Sequence, residues 1–422
     1  MTTDTDEAAR NAALVGRRLR PLQIGMGLQS LLLWLPVEKM FMTEIGLDAA
    51  AVGLVATVYA AVVPLLEVPL GIVADRWSRS GMLILATVAL AASSLVGGLS
   101  NGLLTYLGAA VLLGLYFALD SGIADSIVYD TLVEQTGSSA GYERWIGRVH
   151  AVEAGGLVVS AIGGGLLAAL TSARVTYLVT VPLVASAAVA FYFCREPRLH
   201  RAGERVSYRH QVRATFRALA GGRHIAEVLV LTALVAAAAQ VVFEFGPLWL
   251  VEMHAPAALY GPYWAALVAT VGIGAWCASR VHLDRTRNSA GVGVVLLAAA
   301  ITPAVSHALV VIIAAQVLVA LATALIAVRA GFLLHEAVAA NVRAGVSSGA
   351  STLSWLIFLP VSLTFGWIAR AHGVASAGWL LVGIAAAAAF LLIRTARSAG
   401  TVGTSAGVVA PVAVPEPTLI AG

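Results

Sequence analysis

Long apolar runs separated by short polar breaks constrain the fold of this chain more than any other feature. A helix needs about 20 apolar residues to cross a hydrocarbon core of roughly 30 Å. Twelve runs of about that length lie at residues 20–42, 49–74, 80–99, 102–133, 146–170, 173–194, 226–251, 257–280, 289–306, 308–338, 345–369 and 374–394. Charged residues make up only 11% of the chain, whereas soluble domains contain roughly 25%. The sequence therefore predicts an all-α integral membrane protein with twelve transmembrane helices.

The positions of the arginines predict how these spans are oriented. If the N-terminus is cytoplasmic, the outer loops contain only Arg174 and Arg370. The remaining loop arginines then lie on the inner side, at Arg10, Arg17, Arg18, Arg20, Arg76, Arg79, Arg144, Arg148, Arg195 through Arg223, Arg280, Arg285, Arg287, Arg343, Arg394 and Arg397. Cytoplasmic loops carry an excess of arginine and lysine, so we expect both termini in the cytoplasm. Residues 1–20 lack the apolar core of a signal peptide, so we expect span one to be retained in the plasma membrane.

The spans divide into two halves of six, residues 20–194 and 226–394. A cytoplasmic segment, residues 1–19, precedes the first half. Residues 195–225 connect the halves and are rich in arginine and histidine, which predicts a solvated linker with stretches that contact anionic headgroups. Residues 395–422 contain mainly Gly, Ala, Val, Ser and Pro without helical patterning, which predicts a disordered cytoplasmic tail.

The two halves also share sequence landmarks at one offset. Two pairs are each separated by 209 residues, namely Asp75-Arg76 with Asp284-Arg285, and Asp120-Ser121-Gly122 with Arg329-Ala330-Gly331. Parallel repeats of this kind relate the halves of some secondary transporters. We therefore expect two pseudo-symmetric six-helix halves around a central cavity.

Several function classes are excluded by residues that the chain lacks. The single lysine, Lys39, lies in an apolar run without GxxxxGK[ST], so the chain has no P-loop ATPase motor. Cys194 and Cys277 stand apart from each other, without a CxxC pattern for zinc or redox chemistry. Glu336 follows His335, but the second histidine of HExxH is missing. We expect no enzyme, no metal, no cofactor and no nucleic-acid partner.

Charges cluster at the inner end of span two, where hydrocarbon gives way to water. Charges at membrane depth are costly and normally find partners. Asp75 can lie against the positive N-terminus of a neighbouring helix. Asp130 and Glu134 lie four residues apart on one face of span four, and we expect Arg76 and Arg79 to pair with them. Such a cluster would latch the halves together on the inner side; the alternative is that both arginines only anchor the topology.

In these features the chain resembles the major facilitator superfamily. The signature loop of that family, GxxxDRxxR, is matched by Gly71, Asp75, Arg76, Arg79 and Gly81, with Ser78 where a glycine is common. A multidrug-type branch of twelve-span permeases is similar at Trp34-x-Pro36, at Glu67-x-Pro69-x-Gly71 and at Ser121-Gly122 through Tyr129-Asp130. The resemblance implies that Asp75 contacts the start of span eleven near Ala344. It also implies that spans one, four, seven and ten line the central cavity.

Most of the intramembrane charge falls on those four spans. Ionisable residues within spans are rare and mark functional sites. The candidates for the coupling site or substrate cavity are Glu38, Glu67, Asp120, Asp125, Glu244, Arg329 and Glu336. Glu38 lies beside Lys39, which can instead reach the interface and make both residues interfacial anchors. Glu244 lies between two phenylalanines and either lines the cavity or makes a structural hydrogen bond.

The positions of Asp120 and Arg329 match in the two halves and carry opposite charges. We expect them to face each other across the cavity and to respond to binding of a proton or substrate; the alternative is that Arg329 pairs with Glu336. Glu67, bracketed by prolines, is either a coupling carboxylate or a structural one. Glu153 is a weaker candidate.

The function predicted from these features is proton-coupled export of a small hydrophobic molecule by a monomer embedded in the lipid bilayer. Aromatic candidates for the cavity lining are Trp34, Tyr116, Phe117, Phe243, Phe245 and Trp249. Span five lacks the GPxxGG pattern of several antiporters in the superfamily, which weakens the case for antiport. The alternatives are a proton-coupled uptake permease and, less favoured, a membrane-embedded enzyme.

Overall fold

A computed structural model describes residues 2–139, 141–196, 222–336 and 343–405. This part of the chain folds into α-helices joined by short loops. The helices are α1 (Thr2–Gln29), α2 (Glu38–Glu44), α3 (Ala49–Arg76), α4 (Arg79–Leu99), α5 (Leu103–Asp120), α6 (Ile123–Thr136), α7 (Tyr142–Leu170), α8 (Ala173–Tyr192), α9 (Arg223–Glu252), α10 (Ala257–Ala278), α11 (Thr286–Val305), α12 (Leu309–Glu336), α13 (Arg343–His372) and α14 (Val374–Ser405).

Eleven segments of the described chain are long and apolar enough to cross a membrane, with α5 and α6 together forming one of them. They correspond to predicted spans two through twelve, and the helix ends lie close to the predicted boundaries except at the C-terminal end of α14. The fold is therefore the predicted all-α, twelve-span bundle. The first span differs from the prediction because it is not one continuous helix.

Span one breaks between α1 and α2. After Gln29 the chain forms a turn and a short 3₁₀ helix, Leu35–Val37, before α2 begins. Pro36 cannot donate a backbone hydrogen bond, which favours an interruption at this point. The freed N–H of Leu33 donates to the Thr180 hydroxyl at 3.1 Å. The break therefore leaves a polar, irregular backbone segment that a neighbouring helix satisfies, as membrane burial requires.

Span four also breaks, between α5 and α6. The break follows Asp120, and Gly122 adopts a left-handed conformation with φ of 69°, which favours glycine. The hydroxyl of Ser121 donates to Glu67 at 2.9 Å. The matching segment of span ten, 329–331, lies inside the continuous helix α12. The two halves therefore differ at the position where their sequences echo each other.

The second echo also differs in structure. Asp75-Arg76 are the last two residues of α3, whereas Asp284-Arg285 lie in the loop between α10 and α11. The repeat predicted at an offset of 209 residues is therefore visible in the order of the spans, but not in the local backbone at these landmarks.

The two halves meet at the end of the bundle that carries residues 45–48 and 253–256, here called the outer end. There α3 packs against α13, and α7 packs against α10. A Cβ atom on Gly53 would lie 2.7 Å from the Ser362 carbonyl oxygen, so the helices approach at backbone distance. The Ser362 hydroxyl donates to the carbonyl of Gly53 at 2.8 Å. Asp48 and Arg370 add an exposed ion pair at 3.1 Å.

The opposite end, which carries residues 77–78 and 279–285, is here called the inner end. One buried apolar cluster contains residues of both halves. Two smaller clusters each belong to one half, the first around Leu19 and Ile127 and the second around Val228 and Leu333. The halves are thus joined at the outer end, while each half packs its own core near the inner end.

The predicted terminal segments require correction where they are described. The chain is helical from Thr2, so residues 2–19 of the predicted segment form the first part of α1. Helix α14 extends to Ser405, past the boundary at 394 where disorder was predicted. Within the predicted linker 195–225, helix α9 begins at Arg223, and residues 197–221 lie outside the described residues. Residues 406–422 lie outside them as well.

Candidate functional site

A cluster of three buried charges joins the two halves near the outer end. We call Glu38, Lys39 and Glu244 the outer charge cluster. Lys39 is only 2% exposed, and its ammonium contacts Glu38 at 2.7 Å and also contacts Glu244. Glu38 and Lys39 lie on α2 of the first half, whereas Glu244 lies on α9 of the second. The interpretation of Glu38 and Lys39 as interfacial anchors is therefore wrong, because Glu244 supplies a partner inside the bundle.

Tyrosine hydroxyls complete the hydrogen bonding of the outer charge cluster. Tyr106 donates to Glu38 at 3.1 Å and lies 2.6 Å from the Tyr177 hydroxyl. Each hydroxyl has one proton, so Tyr177 donates to Tyr106 when Tyr106 donates to Glu38. Tyr59, also of the first half, donates across to Glu244 at 3.0 Å and accepts from Gln240 at 3.4 Å. Both carboxylates are thus held by the lysine and by a tyrosine.

The outer charge cluster carries one net negative charge when all three groups are ionised. Removing one partner of a buried ion pair costs about 3–5 kcal/mol, because an uncompensated charge remains. Separating the halves at the outer end would pull Lys39 away from Glu244 and create the same situation. The cluster therefore couples the charge state of these side chains to closure of the outer end.

The space beside the outer charge cluster is nearly filled. A cavity of about 10 Å³ is lined by Glu38, Tyr59, Tyr106 and Trp34, among others, and it has room for about one water. Trp34 stacks on Tyr177 with ring centroids 5.1 Å apart and donates to Ser94 at 3.0 Å. The outer end is therefore closed around these charges.

Asp120 is a second buried charge site, near mid-depth at the break in span four. Its Oδ1 atom is buried and has no hydrogen-bond partner in the described part of the chain. The charged groups that act on it most strongly are Glu153 and Asp125, both of its own sign. An ionised carboxylate in this position costs free energy, which binding of a proton or a cation removes. Asp120 is therefore a candidate for exchange of a proton or a cation.

The neighbouring polar groups belong to the same half. Glu153 lies 2.8 Å from Nδ1 of His150, and Asp125 accepts from the Tyr142 hydroxyl at 3.2 Å. His150 also lies 3.9 Å from Asp125. His150 is the single cationic candidate that the described ion pairs place among these carboxylates. Glu153 was a weaker candidate from the sequence, but in the structure its negative charge acts on Asp120.

Arg329 does not face Asp120 in this conformation. Its guanidinium lies over the ring of Phe332, with 5.4 Å to the centroid. None of the described ion pairs includes Arg329, Asp120 or Glu336. The predicted pairing across the cavity and its alternative within α12 are therefore both absent here. The break in span four, without an equivalent in span ten, removes the symmetry on which the first pairing depended.

The signature loop at the inner end forms one of its predicted pairs. Arg79 contacts Asp130 at 2.6 Å, and Glu134 accepts from Arg18 of α1 at 3.0 Å. The side chains of Asp75 and Arg76 lie outside the described residues, as do the surroundings of Gly71 and of Ala344 at the start of α13. The latch between the halves therefore stays a prediction, and the described pairs each lie within the first half.

We expect Arg79→Gln to lower the transport rate by about 5- to 150-fold, the range typical of coupling free energies between sites. The change leaves Asp130 at the membrane boundary without its cation. Transport into proteoliposomes checks this, with the amount of inserted protein measured in the same vesicles. Arg287→Gln, which changes an exposed arginine in the first turn of α11 in the second half, is the matched control. Equal rates for both variants would contradict a role of this pair in the transport cycle.

Sequence reasoning missed the tyrosines around the outer charge cluster. Tyr59, Tyr106 and Tyr177 lie within apolar spans, and a buried tyrosine hydroxyl usually finds a partner, which is the signal that could have indicated them. Of the predicted lining aromatics, Phe245 stacks on Phe365 at 4.3 Å and is fully buried. Trp249 is buried as well and donates to the Pro303 carbonyl at 2.9 Å. These last two residues pack the core.

Two six-helix halves with broken spans around buried charges define a polytopic secondary transporter. A sequence model of the Major Facilitator Superfamily matches residues 22–332. The chain belongs to this superfamily, and it is therefore a membrane transporter and not an enzyme.

Solved structures show the same fold. A point mutant of the nucleoside transporter NupG superposes with a TM-score of 0.72 at 14% identity, over 89% of this chain and 98% of that one. A bacterial homologue of the human lysosomal transporter Spinster, inward-facing and occupied, gives 0.70 at 16% identity, over 93% and 97%. A D-xylose–proton symporter gives 0.66 at 13% identity, over 91% and 97%. No curated protein sequence matches the chain.

Proposed function

We propose that this protein exports a small, largely apolar organic molecule across the cytoplasmic membrane in exchange for protons, by alternating access. The observation that carries the proposal is the buried, unpartnered carboxylate oxygen of Asp120 at the break in span four. Interrupted helices near the midplane are where secondary transporters bind substrates and coupling ions. Asp120 is the proposed proton carrier, with Glu153 and Asp125 tuning it.

The arrangement of the two halves supports an inward-facing state. The contacts across α3 and α13 and the outer charge cluster close the outer end. The arginine distribution orients the inner end toward the cytoplasm, and we propose that both termini lie there. One structurally similar transporter is itself described as inward-facing. In this state a cytoplasmic substrate reaches the space between the halves.

Aromatic side chains between the halves support a largely apolar substrate. Tyr59 of the first half contacts Trp355 of the second, edge to face, with centroids 6.2 Å apart. Phe117 lies 6.2 Å from Tyr59 and is 39% exposed. Flat apolar surfaces with few charges suit small organic molecules. Asp120 would then carry the coupling proton while these rings contact the substrate.

The outer charge cluster supplies the step that couples closure to protonation. When the outer end opens, Glu244 loses Lys39 as its partner. When the outer end closes again, the ion pair between Lys39 and Glu244 forms again. We propose that the same cycle binds and releases the proton on Asp120, within a monomer in the plasma membrane.

Uptake by proton symport is the second candidate function. It is favoured by the structural similarity to a nucleoside transporter and to a D-xylose–proton symporter. The same residues serve both directions, because a secondary transporter follows the gradients imposed on it. The two candidates differ in whether proton and substrate bind to the same state or to opposite states.

Accumulation of labelled compounds in cells with and without the protein tests the proposal. We expect lower accumulation of an exported compound in expressing cells, and loss of that difference when an uncoupler collapses the proton gradient. Higher accumulation that the uncoupler abolishes would establish uptake instead. A difference that persists with the uncoupler would contradict proton coupling. Cells expressing Glu143→Gln, an exposed position on α7, provide a variant control.

A further inference from the structure

A large cavity opens at the inner end of the second half, away from the outer charge cluster. It lies between α10 and α12 and has a volume of about 420 Å³, within the range of about 300–1,000 Å³ that small-molecule sites occupy. Its walls are mainly apolar, with Leu325, Val328 and Phe332 on α12 and Leu283 in the following loop of α10. The function proposed above makes no use of this cavity.

Arg329 supplies the positive charge of this cavity. A guanidinium has five N–H donors and no acceptor, so it requires acceptors when partly buried. Within the described residues Arg329 makes no ion pair or hydrogen bond, and its one described contact is with the ring of Phe332. It lies five residues before Leu334, where the apolar stretch of α12 ends, or about 7.5 Å along the helix. Its charged end is therefore near the depth of the headgroups.

The loop at the mouth of the cavity adds to the positive potential. It contains Arg280 and Arg285, with the single carboxylate of Asp284 in the cavity wall. Arg280 lies over the ring of Trp276 at 3.6 Å and donates to its carbonyl oxygen. His282 also lines the cavity, with Nδ1 2.9 Å from the carbonyl oxygen of Arg280. The surroundings of Arg329 thus favour an anion over a cation.

We propose that this cavity binds an amphipathic anion, a phosphate or carboxylate attached to an apolar chain. The anionic group accepts hydrogen bonds from Arg329, because guanidinium pairs with such groups through two parallel bonds. The apolar chain lies against Leu325, Val328 and Phe332. The same chemistry is offered by a phospholipid of the inner leaflet and by a free amphipathic anion from the cytoplasm.

Binding of octyl phosphate to the whole protein in phosphatidylcholine nanodiscs tests this proposal by calorimetry. We expect saturable binding to the wild type, and an affinity at least about tenfold lower for Arg329→Gln, because the charge-assisted hydrogen bonds are lost. Octanol and inorganic phosphate each lack one half of the ligand and should bind more weakly. Arg287→Gln, which changes an exposed arginine of α11 outside the cavity wall, should bind as the wild type does.

Two further measurements keep the test decisive. If Arg329→Gln does not fold, Val328→Trp fills the cavity from its exposed wall and should also prevent binding. Nanodiscs that contain phosphatidylglycerol identify the source of the occupant. If the cavity takes a phospholipid, phosphatidylglycerol competes with octyl phosphate and lowers its apparent affinity. If the cavity takes a free anion, the affinity for octyl phosphate is the same in both membranes. Equal affinity of the wild type and Arg329→Gln, or no binding to the wild type in either membrane, would overturn the proposal. Since the readout is binding, this failure leaves the transport function untouched.

Discussion

Replacing Lys39 by methionine is expected to lower the free energy of unfolding by about 3–5 kcal/mol, since it leaves two buried carboxylates without their shared cation. The lysine ammonium is almost fully buried and contacts both Glu38 and Glu244. We expect transport to be abolished as well, because the outer end would then have to close around two carboxylates without a cation between them. Unfolding of the purified protein in mixed micelles measures the first effect, and flux into proteoliposomes the second.

Variants that restore the charge balance distinguish the loss of an ion pair from a loss of packing. Lys39→Arg keeps the charge and should retain much of the stability. Adding Glu244→Gln to Lys39→Met removes one of the unpaired carboxylates and should recover part of the loss, so the two effects should not add. A stability of Lys39→Met equal to that of the wild type would show that the outer charge cluster does not hold the halves together.

Replacing Asp120 by asparagine is expected to impair proton-driven transport while the protein still folds. The change removes a charge whose Oδ1 atom is buried without a partner, so we expect equal or slightly higher stability. The rate driven by a pH gradient should fall by about 5- to 150-fold, the typical range of coupling between two sites. Exchange of labelled against unlabelled substrate, which needs no net proton movement, should continue. Parallel assays of driven flux and of exchange measure both quantities.

Glu143→Gln is the matched control for Asp120→Asn, because it neutralises an exposed carboxylate in the same half. It should leave both assays unchanged. If Asp120→Asn retains full pH-driven flux, another carboxylate carries the proton, and Glu153→Gln becomes the next variant to assay. If exchange and driven flux fall together, Asp120 acts in substrate binding rather than in coupling.

The architecture was largely predictable, because hydropathy and arginine placement depend on local sequence. The ends of the helices in spans two through eleven lie near the predicted boundaries, and the pairing of Arg79 with Asp130 followed from a shared depth at the inner end. The break in span one was not predicted. An apolar run continues through Trp34 and Pro36. Hydropathy does not distinguish a helix from an irregular segment whose backbone N–H groups donate hydrogen bonds to a neighbouring span.

The candidate site was less predictable, because its contacts join distant parts of the chain. Lys39 and Glu244 are 205 residues apart, and their approach depends on how the halves pack. The expectation that Asp120 faces Arg329 assumed equal backbones in the two halves. The left-handed Gly122 ends a helix in span four, whereas α12 continues through the matching position. Sequence symmetry therefore did not predict side-chain direction.

The burial of Lys39 also allows opening of the outer end to be measured by chemical labelling of this one residue. The chain has one lysine, so an amine-reactive reagent has a single ε-amino target besides the chain's α-amino group. In the closed outer end this amine is 2% exposed and ion-paired, which protects it from acylation. Opening of the outer end exposes it, so the rate of labelling at Lys39 follows the population of the open state. No engineered cysteine or fluorophore is required to observe that motion.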